Sequence, residues 1–255
     1  MKMEDSNFFF NIDEIKIPLV TTGTSPFIGA GQFGINGPIW RKKFLNNTEA
    51  MVDILEASYK AGARGIEAIP VGKIIDSARI MSERYSDYVI TGSTLPYEHS
   101  GIHTLINADA KMIFVHGMIS DAKGRELIKL LDIISDPGVI PGIATHDPIP
   151  TIQHVIENDL NVRAFLIPFN AEGYLMGNQF KLEELVNSTK NYSFIGMKVL
   201  AAGKIRPDRA LKYISQHNID AVSIGITNVQ EAMITNKIAS EILIKKDKKT
   251  FKNHG

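Results

Sequence analysis

Five polar residues stand where apolar runs of the chain end. Glu67 lies in Gly65–Ile69, and His116 closes Met112–His116. His146 follows Val139–Ile143, in Gly142-Ile143-Ala144-Thr145-His146-Asp147-Pro148. Asn170 follows Ala164–Pro168, and Lys198 sits within Phe194–Leu200. These residue types suit proton transfer and carbonyl capture. A histidine working with a glutamate can be acid and base near neutral pH. A lysine removed from water can form an imine with a carbonyl carbon. The same lysine could instead hold a phosphate or carboxylate, or pair with Glu67 inside the fold. Glu67, His116 and His146 are also ligand types for a divalent metal, although no tight ligand spacing supports this. His99, His103, His154, His217 and His254 fall on helical segments or the tail and read as surface.

The pattern of runs is what would bring the five together. Eight recur: Ile17–Thr22, Gly65–Ile69, Tyr88–Gly92, Met112–His116, Val139–Ile143, Ala164–Pro168, Phe194–Leu200 and Ala221–Gly225. After the first gap they begin about every 25 residues, the length of one strand-plus-helix unit. Strands alternating with helices imply a parallel sheet. Eight such units in 255 residues imply an α/β fold, a closed (β/α)8 TIM barrel, which typically needs about 250. The expectation is a single barrel domain over 1–255, with its working residues at the C-terminal ends of the strands.

The helices are marked by their ends. Asn47 or Thr48 caps a first helix with the stripe Met51, Ile54, Leu55, Tyr59. Leu127, Leu130, Leu131 and Ile134 line one face of a fourth. Pro148 and Pro150 suit the first turn of a fifth, and Pro207 that of a seventh. The last begins near Asn228 and runs toward Lys245-Lys246-Asp247-Lys248-Lys249, read as a frayed, flexible basic tail over about 245–255. Residues 25–47 read as a long irregular loop after the first strand. Within it, Gly29-Ala30-Gly31-Gln32-Phe33-Gly34 spells the dinucleotide pattern G-x-G-x-x-G. That pattern needs a helix directly after its third glycine. Ile35-Asn36-Gly37-Pro38 follows and reads as a helix breaker, so the segment is taken as a lid or ligand-contact loop.

Two small-residue turns suggest where an anion would rest. Gly196–Lys204 ends the seventh strand and Ser223–Asn228 the eighth. TIM barrels often hold phosphate between these two loops. The candidate binding residues there are Ala202, Gly203, Gly225 and Asn228.

Composition narrows the partners. Lys and Arg number 28, as do Asp and Glu, so no net field draws nucleic acid or an anionic membrane. Zero cysteines remove disulfides, thiolate metal sites and cysteine nucleophiles. The start MKMEDSNFFF lacks the long apolar stretch of a signal peptide, and no run approaches the ~18 apolar residues of a membrane span. The expectation is a cytoplasmic protein with a small phosphorylated ligand as partner; homo-oligomers stay open.

Several of these segments resemble the aldo-keto reductases. Gly142–Pro148 with Leu166-Ile167-Pro168-Phe169-Asn170 is similar to that family's strand-five and strand-six signature. Met197–Ile205 is similar to its strand-seven phosphate loop, and Gly225–Asn236 to its strand-eight turn and helix. Val115-His116 matches the strand-four histidine, and Gly62–Glu67 the segment that ends in the catalytic aspartate. The resemblance implies NAD(P) as cofactor, with phosphates on Ala202, Gly203, Gly225 and Asn228. It places His146 and Asn170 at the nicotinamide and His116 with Glu67 at the substrate. The chain departs from the family where its chemistry lies. The aspartate becomes Glu67, the proton-donating tyrosine falls at Gly72, and the lysine that depresses the tyrosine pKa falls at Gly92. A divergent oxidoreductase is therefore one expectation. A lyase, aldolase or isomerase, with His116 and Glu67 as acid and base or Lys198 as imine former, is another. A non-catalytic metabolite-binding barrel is a third.

Overall fold

The structure is a computed structural model and describes residues 5–96 and 100–252. His99 and His254 lie outside the described residues. The chain opens with a hairpin of β1 (Phe9–Ile12) and β2 (Ile15–Pro18). Eight strands then close a parallel barrel. They are β3 (Val20–Gly23), β4 (Gly65–Ala68), β5 (Val89–Ser93), β6 (Met112–Val115), β7 (Ile140–Ala144), β8 (Ala164–Pro168), β9 (Ser193–Met197) and β10 (Ala221–Gly225), with β10 pairing back onto β3. The helices are α1 (Asn36–Phe44), α2 (Thr48–Lys60), α3 (Ile74–Arg84), α4 (Ser100–Ile106), α5 (Gly117–Ser120), α6 (Arg125–Ser135), α7 (Pro148–Glu157), α8 (Gln179–Ser188), α9 (Pro207–Ile214) and α10 (Val229–Lys252). The (β/α)8 architecture expected from the spacing of apolar runs is present.

Two cores hold it. The outer one lies between strands and helices and takes Ile66, Ile113, Val115, Phe165 and Phe194 from the sheet. The stripe Leu127, Leu130, Leu131 and Ile134 of α6 buries against it in full. The inner core fills the barrel with Met112, Phe114, Ile140, Ala144, Ala164, Leu166, Ile195 and Ala221. Its floor is the hairpin, which adds Ile12 and Ile17. The run Ile17–Thr22 is thus not one strand. Ile17 belongs to β2, and the barrel strand starts at Val20. Sequence periodicity misses this break because both pieces are apolar and buried.

Residues 25–47, expected as irregular loop, hold α1. The Gly37-Pro38 pair read as a breaker lies in that helix's first turn, where a missing N–H costs nothing. Gly29 is needed because a Cβ there would stand 2.4 Å from the carbonyl oxygen of Gly37. The glycine pattern therefore packs the loop onto α1. The basic segment expected as a frayed tail is helical to Lys252, and Lys246 donates to the carbonyls of His217 and Ile219. Among the described residues, no helix is long and apolar enough to cross a membrane.

The hairpin floor is open to test. Ile17 is 1% exposed. Ile17→Ala should cost about 2–5 kcal/mol of unfolding free energy in a denaturant titration. A loss below about 1 kcal/mol would mean that the hairpin is not packed as described.

Candidate active site

Glu67 and Lys198 line one cleft at the C-terminal end of the barrel. Glu67 sits on β4 in register with Gly23 of β3 and Thr91 of β5. Ser93 Oγ donates to Glu67 Oε1 at 2.6 Å, so both side chains point into the barrel. Lys198 directly follows β9 and has a left-handed backbone, φ 54°. A non-glycine residue takes that conformation at a cost, and such strain collects at working sites. Lys198 lines a cleft of about 230 Å³ together with Glu67.

Burial dominates the electrostatics of both groups. It pushes the Glu67 carboxyl up, against the opposing pull of the Ser93 hydrogen bond and the Lys198 charge. It pushes the Lys198 amine down to about 8, partly offset by Glu67. Among the described residues no direct ion pair joins them. Burial thus shifts each group toward its neutral form relative to its state in water. At pH 7 an amine of pKa about 8 is about one-tenth unprotonated, against about one in 2,500 for an ordinary lysine.

A histidine pair stands close enough to Lys198 to feel its charge. His116 follows β6 and caps α5, with Nδ1 accepting from Met118 N at 3.2 Å. The rings of His116 and His146 meet edge to face, 5.7 Å between centroids. Gly117 permits this approach, since a Cβ there would lie 2.8 Å from His146 Nδ1. Burial lowers the pKa of each, and the Lys198 charge lowers both further. Asp121 acts in the opposite sense on both. Among the described residues, no direct hydrogen bond joins His116 and Glu67, the pair expected as acid and base. Glu67 turns to Ser93, and His116 to His146. Glu67, His116 and His146 are also metal-ligand types. Among the described residues, no three such ligands surround one point.

The cleft exists because inward positions on the first and eighth barrel strands are small. Gly23, Ser223 and Gly225 line it. A Cβ on Gly23 would come within 2.8 Å of Ser223 Oγ, and one on Gly225 within 2.9 Å of Pro26. The far wall is Phe33 and Trp40, edge to face at 4.9 Å, from the segment read as a lid. Trp40 on α1 is a site residue that sequence reading missed, because the surrounding stretch was taken for loop.

The anion loops are partly committed. Ala201, Ala202 and Gly203 are consecutive left-handed residues, φ 47°, 57° and 86°. Gly203 N–H donates to Leu200 O at 2.9 Å. On the eighth strand's turn, Thr227 N–H and Oγ both donate to Glu231 Oε2, each at 2.8 Å. Asn228 caps α10 by accepting from Glu231 N. Glu231, which sequence reading also missed, therefore sets a carboxylate into the cleft beside Gly225 and Gly203.

Other expected site residues are employed elsewhere. Asn170 is fully buried, and its amide braces its own loop by donating to Tyr174 O and accepting from the N–H groups of Glu172 and Tyr174. His217, read as surface, is half-buried against Phe169 and Tyr213. The reductase positions have no room for the family's side chains. A Cβ on Gly72 would stand 2.3 Å from Leu45 O, and one on Gly92 2.5 Å from Ala68 O. Gly92 faces Leu105 of α4, so the inward neighbour of Glu67 is Ser93, one residue on. The cation near the acid comes from the seventh strand.

No protein-family model matches the chain, and no curated protein is similar to it. Solved structures do share its fold. An aldo/keto reductase from Brucella melitensis superposes with a TM-score of 0.61 at 11% identity, over 92% of this chain and 95% of that one. The thermostable aldo-keto reductase Tm1743, in complex with the inhibitor epalrestat, gives 0.62 at 14%, over 92% and 96%. A KDPG aldolase from Legionella pneumophila, holding pyruvate as a covalent carbinolamine intermediate, gives 0.52 at 14%, over 78% and 89%. The chain thus shares the (β/α)8 barrel fold with these structures.

Glu231 bears on any anion in this cleft. Glu231→Gln should tighten binding of a small phosphate ester by about 1 kcal/mol, the scale of one like-charge repulsion. Trp40, the chain's single tryptophan, reports this by its fluorescence. Unchanged affinity would place the anion outside this cleft.

Proposed function

We propose that this barrel is a lysine-dependent lyase or aldolase acting on a small phosphorylated carbonyl compound. The observation that carries the reading is the buried Lys198 amine, its pKa held near 8, facing a cleft it shares with Glu67. The unprotonated amine adds to the carbonyl carbon and forms a C–N bond. Glu67, whose carboxyl burial pushes up, gives a proton to the carbonyl oxygen, which leaves as water after a second proton transfer. The resulting iminium withdraws electrons from the bond at the adjacent carbon, which then breaks. His116 and His146, held neutral, are suited to take a proton from the substrate. The substrate phosphate would sit toward Ala202, Gly203 and Gly225, with Asn228 shaping that turn.

A nicotinamide-dependent reductase is the second reading, favoured by the shared barrel over nine-tenths of the chain. Bound NAD(P) would supply a hydride. The residues here do not fit that chemistry, because Gly72 and Gly92 have no space for the acid and lysine it uses.

Borohydride trapping tests the proposal. Protein incubated with dihydroxyacetone phosphate, glyceraldehyde 3-phosphate or pyruvate, then reduced, should gain one adduct that peptide mapping places on Lys198. Lys198→Met should abolish it, and Glu67→Gln should slow it on the order of 100-fold, the scale of one lost acid. Adducts spread over surface lysines, equal in Lys198→Met, would contradict the reading. Oxidation of NADPH by these carbonyls would favour the reductase. Tight binding with neither reaction would leave a metabolite-binding barrel.

A further inference from the structure

One carboxylate near the mouth belongs neither to the cleft nor to the proposed reacting pair. Asp121 follows α5, five residues after His116, and its N–H closes that short turn on Gly117 O. Its side chain crosses to the next loop. Thr145 Oγ1 and Thr151 Oγ1 both donate to Oδ1, the second at 2.8 Å, and His146 N–H donates to Oδ2 at 2.9 Å. Thr145 Oγ1 accepts in turn from Asp147 N–H at 3.0 Å. On the other flank, His116 N–H donates to Thr94 Oγ1 at 2.9 Å. A chain of hydrogen bonds therefore ties together the loops after β5, β6 and β7, with Asp121 at its centre.

Among the described residues, no lysine or arginine pairs with Asp121. A purely mechanical staple needs no unpaired charge, yet this one stands close enough to both imidazoles to act on their protonation. We infer that Asp121 is a positioning residue: it locks the His146 loop onto the His116 turn and holds the two rings edge to face at the barrel mouth. Its bearing on catalysis rests on the imine reading above. The charged groups facing the histidine pair are Asp121, Lys198 and the rings themselves. Lys198 opposes protonation and Asp121 favours it, so Asp121 keeps the pair within reach of a proton.

Histidine ring NMR tests this without any substrate. In the wild type, His116 and His146 should show a ring-to-ring contact, and both should titrate. Asp121→Asn keeps one acceptor oxygen but presents N–H₂ where His146 N–H needs an acceptor, and it removes the charge. The expected result is loss of the ring contact, with both midpoints lowered by about half a pH unit or more. The pH profile of trapping at Lys198 should shift in the same variant. If that variant does not fold, Thr145→Val with Thr151→Ala decides, because it removes both hydroxyl donors to Asp121, and with them the acceptor of Asp147 N–H, and keeps the charge. Loss of the ring contact there supports the role. Retention of the ring contact and of both midpoints in the folded variant overturns it. Failure of trapping with the NMR result intact would sink the imine reading alone.

Discussion

Everything at the barrel mouth depends on one costly arrangement, an amine and an acid removed from water with no direct salt bridge between them. Isolated ionised groups in a dry interior are prohibitively unstable, so such groups change protonation instead. Glu67 moves up and Lys198 moves down. The surrounding structure enforces this. Ser93 fixes the acid, the left-handed turn at Lys198 aims the amine, and the filled interior below excludes water. The free energy spent on this arrangement is what would make the amine reactive near neutral pH under the proposed function.

The same geometry illustrates how one barrel scaffold can carry different chemistries. Catalytic residues on this fold come from the ends of different strands, so a function can change while the scaffold stays. Here the cation that shares the cleft with the acid follows the seventh strand, and the third strand supplies Ser93. Glu231 adds a negative wall to the cleft, which limits how many anionic groups one ligand can place there. The aromatic wall of Phe33 and Trp40 closes the opposite side.

Much of the scaffold was legible because barrels write a regular signal. Buried strands recur between amphipathic helices, and caps such as Asn47 and prolines such as Pro148 and Pro207 mark their boundaries. The failures have local causes. Ile17 and Val20 look continuous in sequence, but one seals the floor and the other begins the barrel. Pro38 looked like a breaker because a proline stops a helix only past its first turn. Gly92 was counted as facing the site, and the two-residue alternation of a strand turns it outward. Convergence of His116, His146 and Lys198 was readable from their strand ends. The partner of each was not, since Ser93, Asp121 and Glu231 act through contacts between distant segments.

The central claim is that the protein holds Lys198 as a largely desolvated amine. A site-resolved titration of the Lys198 side chain by NMR, assigned with Lys198→Met, measures this directly. The midpoint should lie near 8, and it should fall further in Glu67→Gln, because Glu67 supplies the charge that favours the protonated form. A midpoint at the ordinary lysine value of about 10.4, unmoved by Glu67→Gln, would contradict the account.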